Sequence, residues 1–392
     1  MSVLDRAKVA VAVVFVVNGF AFASWLARLP AIRSGLELTP GQVGLLLLCL
    51  SLGTVVALPA SGFVVTRLGP ARTVGTGAAV VGLGLLGMAA GLAAGSVATV
   101  AVGMFVYGAG TSSWDVAMNV EGAEVERALG RTVMPRFHAG FSVGTVAGAL
   151  LGAASARLDI DLPVQLAATV AIVLVAVPLA LRSFTPLAVD HADQAASAGL
   201  AAAWQEPRTL LVGAVVLAFA LAEGIANDWL ALALVDGYGT SEALAAVGFA
   251  CFVSAMTLGR TFGGTAVDWL GRVTVLRLTG VLVVAGVAVV VWSPVLPGAF
   301  VGAALWGLGA SLGFPLGMSA AADDEHRAAA RVAVVSSIGY AAFLGGPPLL
   351  GTLADALGVR QAVVVACVAG LVGALLASAT RRETAPQVQR LP

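Results

Sequence analysis

Two acidic residues of this chain lie inside long apolar segments, where a charge is costly. Glu223 and Asp115 are each followed four residues later by an asparagine, Asn227 and Asn119. Residues four apart share one face of a helix, so each acid and its amide would form a polar pair there. A charged side chain at the centre of a bilayer costs at least about 2.5 kcal/mol. These positions therefore predict a site that handles a proton or a polar solute.

The composition predicts the elements that must position this site. Apolar residues make up 59% of the chain and charged residues 11%, and the mean hydropathy is +0.98. Soluble domains are about 25% charged, and a helix of about 20 apolar residues crosses a bilayer. We therefore expect an all-α membrane protein with twelve transmembrane helices. The expected spans are residues 7–29, 40–66, 73–95, 96–121, 133–157, 162–182, 209–235, 241–267, 273–293, 297–322, 332–354 and 359–380.

Two sequence landmarks recur at nearly the same spacing. GFVVTRLG at Gly62 returns as GTAVDWLG at Gly264, and ERALGR at Glu126 returns as HRAAAR at His326, with offsets of 202 and 200 positions. Such a repeat is typical of transporters whose site lies between two halves. It predicts two pseudo-symmetric six-helix bundles. The expected domains are residues 1–182 and 209–380, with a cytoplasmic linker at 183–208 and a cytoplasmic tail at 381–392.

The basic residues are divided unequally between the two sides of this topology. The side of the termini carries 17 lysines and arginines, whereas the opposite side carries 4, namely Arg28, Arg33, Arg157 and Arg360. Cytoplasmic loops carry the excess of positive charge, so both termini are expected in the cytoplasm and the protein in the cell inner membrane. The first apolar run is too long for a cleaved signal. The net charge of zero hides this asymmetry and argues nothing about nucleic acid; no nucleic-acid partner is expected.

The loop between the eighth and ninth spans contains a G-x-x-x-D-x-x-G-R pattern. Its residues are Gly264, Asp268, Gly271 and Arg272. This pattern resembles the signature loop of the major facilitator superfamily. The resemblance implies a latch in which Asp268 accepts from the next helix and pairs with arginines. In the first half Arg67 and Arg72 would contribute, with Thr66 in place of the acid. The alternative is that these loops are tight turns with basic residues on the cytoplasmic side.

The fourth span and the start of the fifth carry a finer resemblance. Trp114-Asp115 and Asn119, followed by His138, are similar to the fucose-permease branch of proton-coupled sugar symporters. By that resemblance Asp115 stands for the branch's fourth-helix acid and His138 for its sugar-contacting amide. The first span lacks the acid of that branch and offers Asn18 instead. The DVAMN and EGxxxDW motifs also resemble those of a poorly characterised group of bacterial inner-membrane proteins.

The superfamily resemblance implies that spans one, four, seven and ten line a central cavity. We expect Asp115 and Glu223 to couple a proton, since the seventh span holds no basic residue that could neutralise Glu223. Asp115 could instead form an ion pair with Arg136 or Arg131, and His138 could be a packing residue. The tryptophans could instead anchor at the membrane interface. The expected substrate contacts are Asn18, Trp25, Trp114, Asn119, His138, Asn227, Trp306 and Tyr340.

The favoured function is a secondary transporter that takes up a small polar solute, such as a sugar, with a proton by alternating access. The glycine stripe of the fifth span, from Gly140 to Gly152, lacks the proline of drug antiporters, which favours uptake over proton-driven efflux. A membrane enzyme is disfavoured because no nucleophile with a base is found and the three histidines lie far apart. There is no phosphate-binding loop or metal-ligand spacing, so no cofactor is expected. We expect a monomer whose partners are the solute, the proton and the bilayer.

The topology gives a first prediction. Single cysteines at Ala195 and Ala243, in a background lacking the three native cysteines, should label from opposite sides of the membrane. Ala243 should react with an impermeant maleimide in intact cells, and Ala195 only after lysis. Labelling of Ala195 from outside would show that the orientation is inverted.

Overall fold

The computed structural model describes residues 2–130, 133–184, 200–324 and 327–382, and within them every regular element is helical. The first part of the chain forms α1 (Val3–Leu26), α2 (Leu29–Gly35), α3 (Pro40–Leu68), α4 (Pro70–Ala93), α5 (Val97–Leu129), α6 (Met134–Arg157) and α7 (Leu162–Leu181). The second part forms α8 (Leu200–Ala203), α9 (Pro207–Tyr238), α10 (Glu242–Leu270), α11 (Arg272–Trp292), α12 (Leu296–Ala310), α13 (Gly313–Ala321), α14 (Ala328–Leu357), α15 (Val359–Ala362), α16 (Val365–Leu376) and a 3-10 turn (Ala377–Thr380). Most of the expected linker and tail lies outside the described residues.

Eleven segments of the described chain are long and apolar enough to cross a membrane. They match eleven of the expected spans, and α1 with α2 counts as one of them. The remaining expected span corresponds to α5, which is 33 residues long but carries a polar run around Asp115. Helix α5 continues to Leu129, eight residues beyond the expected end of that span. The twelfth crossing and the symmetry of the two halves stay predictions.

The two loops of the sequence repeat adopt the same backbone conformation. Gly69 ends α3 and begins α4 with φ 80° and ψ 159°, and Gly271 ends α10 and begins α11 with φ 80° and ψ 153°. A positive φ is unfavourable for residues that carry a Cβ, so glycine is required at both turns. The repeat therefore coincides with a structural equivalence at these loops.

The glycine stripe of α6 brings this helix into close contact with α1. A Cβ added at Gly144 would lie 1.9 Å from the carbonyl oxygen of Val16, and one at Gly148 would lie 2.4 Å from that of Phe20. The contact at Gly19 of α1 is equally close, since a Cβ added there would lie 2.1 Å from the Phe141 carbonyl oxygen. Small residues let helix backbones approach in this way in a membrane. The obstructing atoms belong to the backbone, so a larger side chain has nowhere to go.

For the description that follows, residues 2–181 are the first half and residues 207–380 the second half. The terminal face is the end of the bundle that carries Ser2 and Arg382, and the distal face is the other end. Polar contacts join the halves at the distal face. Arg33 pairs with Asp236, and the Gly41 N–H donates to Asp355 Oδ1 at 3.1 Å. The distal ends of the two halves are therefore held together.

Arg28 adds a further distal contact. Its side chain is 7% exposed and lies 3.4 Å from the Glu242 carboxylate at the start of α10. In its own half Arg28 donates to the Gln165 side chain at 3.0 Å. The guanidinium is thus fixed by the first half and presented to an acid of the second.

A hydrogen bond that depends on a proline joins α3 of the first half to α14 of the second half. Ser51 Oγ donates to the Phe343 carbonyl oxygen at 2.7 Å. Residue 347, four positions after Phe343, is proline and has no N–H to give to that carbonyl. The hydroxyl of the first half therefore replaces a bond that α14 cannot make for itself. Pro347 and Pro348 both lie inside the continuous helix α14.

This arrangement gives a prediction for the distal seam. Ser51→Ala should leave the Phe343 carbonyl without a partner, at a cost of about 1–3 kcal/mol, and should favour separation of the halves at the distal face. Spin labels at Glu37 and Thr240 would report this as a larger population at long distance in double electron–electron resonance.

The matched control is Pro347→Ala, which restores an N–H four residues after Phe343. Ser51→Ala should have a much smaller effect in that background. An equal lengthening in both backgrounds would show that the proline-freed carbonyl is not what Ser51 stabilises.

Candidate functional site

A polar cleft lies between the two halves in the middle of the bundle. Asp115 of α5 and Tyr340 of α14 are both exposed, although each lies far from its helix ends. They come from opposite halves and are close enough to interact electrostatically. Two exposed polar side chains that face each other across the halves require open space between them. We refer to this space as the central cleft.

A second pair of residues faces the same cleft. His138 of α6 is exposed and interacts electrostatically with Arg260 of α10. The imidazole packs edge-on against Phe15, with ring centroids 5.2 Å apart. The aromatic contact fixes one side of the ring and leaves the other accessible. His138 is therefore placed as its predicted contact with a solute requires, and that role stays a prediction.

Glu223 has an ion-pair partner, which the sequence reasoning did not foresee. Arg260 Nη2 lies 3.0 Å from both carboxylate oxygens of Glu223, and Arg260 Nε donates to the Ser311 carbonyl at 3.3 Å. The expectation that nothing in its own helix could neutralise Glu223 holds, but a neighbouring helix supplies the cation. The Arg260 side chain is 31% exposed and that of Glu223 16%. The pair is therefore partly hydrated from the cleft.

The position of Arg260 corrects the count of basic residues by side. It was counted with the terminal side, but it lies ten residues before the end of α10 at Leu270, or about 15 Å from that end. The terminal side then carries 16 basic residues against 4. The excess of basic residues still lies on the terminal side.

Asp115 differs from Glu223 in having no cationic partner within the described residues. Its carboxylate accepts from Asn119 Nδ2 at 3.3 Å, and the same amide donates to the Asp115 backbone carbonyl at 2.8 Å. The alternative ion pair with Arg136 is absent, and Arg131 lies outside the described residues. Asp115 is 14 residues from the end of α5 at Leu129, or about 21 Å deep. This is deeper than the sequence suggested, because the helix is longer.

The other expected substrate contacts lie around this cleft or behind it. Asn227, one turn after Glu223, is half-buried. Asn18 is 3% exposed, and its Nδ2 contacts the sulfur of Met118 at 3.6 Å. Trp306 is buried and donates from Nε1 to the Ala222 carbonyl at 3.1 Å. Trp25 and Trp114 are also buried in the first half. In this conformation these three indoles pack within the halves, and their contact with a solute stays a prediction.

Asp228 and Glu121 are two further acids of the described helices that are not among the expected site residues. Asp228 lies in a narrow space against α14, beside Phe343 and Pro347. Glu121 is 1% exposed within α5. Glu121 is the last residue of the expected span 96–121 and begins an acidic stretch that also contains Glu124 and Glu126, so the sequence pattern did not single it out. Arg260 could have been found by asking which basic residues lie inside an expected span.

The sequence profile of the Major Facilitator Superfamily matches residues 11–328 and 229–392. An uncharacterised transporter of Sinorhizobium fredii is 33% identical over 371 residues, which cover 94% of this chain and 95% of the relative. The chain belongs to the Major Facilitator Superfamily. An uncharacterised transporter of the same superfamily from Yersinia pestis is 31% identical over 375 residues, covering 95% and 94% of the two chains. Superfamily members are transporters of small solutes, so the enzyme alternative is set aside.

Solved structures of the superfamily share this fold. The nucleoside transporter NupG superposes with a TM-score of 0.76 at 12% identity, covering 97% of this chain and 99% of NupG. An inward-facing bacterial homologue of the human lysosomal transporter Spinster gives 0.76 at 13% identity, with 97% and 98% covered. The fucose:proton symporter FucP of E. coli gives 0.65 at 14% identity, with 96% and 98% covered. At these identities the likeness shows the fold alone.

The superfamily's signature loop does not form the expected latch in this conformation. Asp268 is exposed and makes no hydrogen bond or ion pair with any residue that the structure describes. Arg272 pairs instead with Asp323 at the end of α13, at 2.9 and 3.0 Å. In the first half Arg67 lies over the Phe63 ring, 4.8 Å from its centroid. Arg272 therefore ties helices of the second half to one another through Asp323.

The ion pair of Glu223 gives a prediction. Arg260→Gln should leave an uncompensated carboxylate between membrane helices and lower stability by about 1–2 kcal/mol, below the value for a fully buried pair because the pair is partly hydrated. The double variant Glu223→Gln, Arg260→Gln should recover most of this loss. Thermal unfolding of the purified variants in detergent measures both. Additive losses in the double variant would show that the two residues do not stabilise each other.

Proposed function

We propose that this protein is a proton-coupled symporter of a small polar solute that works by alternating access. The observation that carries the proposal is Asp115, an acid deep in the bundle that opens onto the central cleft and has no cationic partner among the described residues. A charged side chain within the membrane is energetically costly, so its presence there indicates a functional role. A carboxylate that no arginine holds can take up and release a proton without breaking an ion pair.

Glu223 is assigned a different role from the one expected from the sequence. A single nitrogen of Arg260 lies 3.0 Å from both carboxylate oxygens of Glu223, so Glu223 is engaged in an ion pair within the second half. We assign the Glu223–Arg260 pair to the polar wall of the cleft, where it orders the second half and offers charged groups to a solute. Asp115 alone is then the coupling residue.

The solute is proposed from the chemistry of the cleft wall. His138, Asn119, Asn227 and Tyr340 offer donors and acceptors from both halves, and they suit a solute rich in hydroxyl or amide groups. Sugars and nucleosides have this chemistry. The named cargoes of two structural neighbours, a nucleoside transporter and a fucose:proton symporter, belong to the same class.

We further propose that the terminal face lies in the cytoplasm of a cell whose inner membrane holds the protein. The 16 to 4 bias of basic residues supports this orientation. With the distal face closed by Arg28, Arg33 and Asp355, the cleft would open to the cytoplasm. The conformation would then be the one that releases solute and proton inside the cell.

The proposal predicts separate effects on accumulation and exchange. A solute would first be identified by a thermal-shift screen of sugars and nucleosides, because a ligand of the folded state raises its apparent stability. In proteoliposomes Asp115→Asn should lose accumulation driven by a pH gradient, at least tenfold, yet retain exchange of labelled for unlabelled solute. The amide mimics the protonated acid and can reorient only with solute bound.

Glu223→Gln is the matched control, since it also replaces an acid by its amide in the cleft. It should weaken accumulation and exchange together, because it disturbs a wall of the site and not the proton carrier. Protonophore-sensitive accumulation by Asp115→Asn would exclude Asp115 as the coupling residue.

A further inference from the structure

We propose that the groove between α1 and α6 at the terminal face binds the headgroup and upper acyl chain of an anionic phospholipid. The groove is about 290 Å³ in volume, and its floor is formed by apolar residues, with Val9, Val13, Val16 and Phe137 among them. Two basic residues, Lys8 and Arg136, complete its lining. It is separate from the central cleft and plays no part in the proposed transport chemistry.

The shape of the groove suits a chain that enters from the membrane surface. Lys8 lies near the start of α1 and Val16 lies two turns further into the bundle, a distance of about 12 Å along the helix. Val9 is 47% exposed in this region. The segment Val3–Gly35 is one of those able to cross the membrane by length and composition, and the proposal places the exposed apolar surface of this groove against lipid. An acyl chain would cover this floor without any polar group being buried.

The charge of the groove is complementary to a phosphate. Neither Lys8 nor Arg136 forms an ion pair with any acid in the described ranges. Two acids lie close to these cations along the chain, and Asp5 attracts Lys8 electrostatically. Asp5, one turn before Lys8, accepts from the Ser2 hydroxyl at 2.8 Å. Glu126 accepts from the backbone N–H groups of Val133 and Met134, both at 2.7 Å.

The two cations come from different helices that meet at the groove; Lys8 is partly compensated by the neighbouring Asp5, and Arg136 forms no ion pair with a described acid. Basic residues at the membrane surface attract anionic lipids by about 1 kcal/mol each. Two of them over an apolar groove select a molecule with a negative head and an apolar body. Glu126 strengthens the site indirectly, because its two hydrogen bonds hold the start of α6 and hence Arg136 in place.

The test compares lipid adducts of the purified full-length protein by native mass spectrometry. Delipidated protein would be titrated with phosphatidylglycerol or phosphatidylcholine of the same acyl chains. The wild type should bind phosphatidylglycerol in preference. Lys8→Gln combined with Arg136→Gln should weaken that binding about 30-fold, which corresponds to about 1 kcal/mol for each of two cations.

Two further variants separate charge at this groove from charge in general. Arg182→Gln with Arg277→Gln removes two exposed cations near the same face and should bind phosphatidylglycerol like the wild type. Val9→Trp fills the groove, keeps both cations and should weaken binding. Glycerophosphoglycerol, which has the headgroup but no acyl chains, should compete poorly.

Equal binding of phosphatidylglycerol by the wild type and the Lys8, Arg136 variant would overturn the proposal. An equal loss in the Arg182, Arg277 variant would do the same, since it would mean that the lipid responds only to total charge. Strong competition by glycerophosphoglycerol would point to a simple phosphate site and overturn the lipid assignment. Size-exclusion profiles and melting temperatures close to those of the wild type establish that each variant is folded.

Discussion

The structure depends on one constraint, which is that a polar group within the hydrocarbon has no water to bond and must find its partner inside the protein. The Phe343 carbonyl, freed by Pro347, is bonded by Ser51 of the other half. The Arg28 guanidinium is bonded by Gln165 and faces Glu242. Glu223 is neutralised by Arg260. In each case the partner comes from another helix, so satisfying the polar groups also sets how the helices are arranged.

Asp115 is informative because it departs from this pattern. It is stabilised by an amide and by access to the cleft, and not by a cation. Water in the cleft can hydrate the carboxylate while the cleft is open. Its environment therefore depends on the open space between the halves, whereas that of Glu223 is set by a side chain of the same half.

The sequence alone predicted most of the fold, because hydropathy and length fix where helices cross a membrane. The glycine stripe could also be predicted, since its four-residue spacing is local to α6. The ion-pair partners of the charged side chains could not be predicted from the sequence. Glu223 and Arg260 are 37 positions apart, on neighbouring helices, and no local pattern shows which faces meet. For the same reason Arg272 was matched with Asp268 in its own loop, whereas its partner Asp323 lies 51 positions away.

The helices are held together by two kinds of contact, backbone approach and side-chain pairing. Within the first half, α1 and α6 meet backbone to backbone through glycines such as Gly144, and such a contact cannot loosen by a change of rotamer. Between the halves, Arg33 pairs with Asp236 through side chains that are partly exposed at the distal face, where water can replace the partner at small cost, whereas the Arg28 side chain is only 7% exposed there. Gly44 and Gly351 make one close approach between the halves, at the crossing of α3 and α14. This crossing lies near the distal ends of both helices, four residues after the start of α3 and six residues before the end of α14, so the distal face is closed by a backbone contact as well as by side-chain pairs.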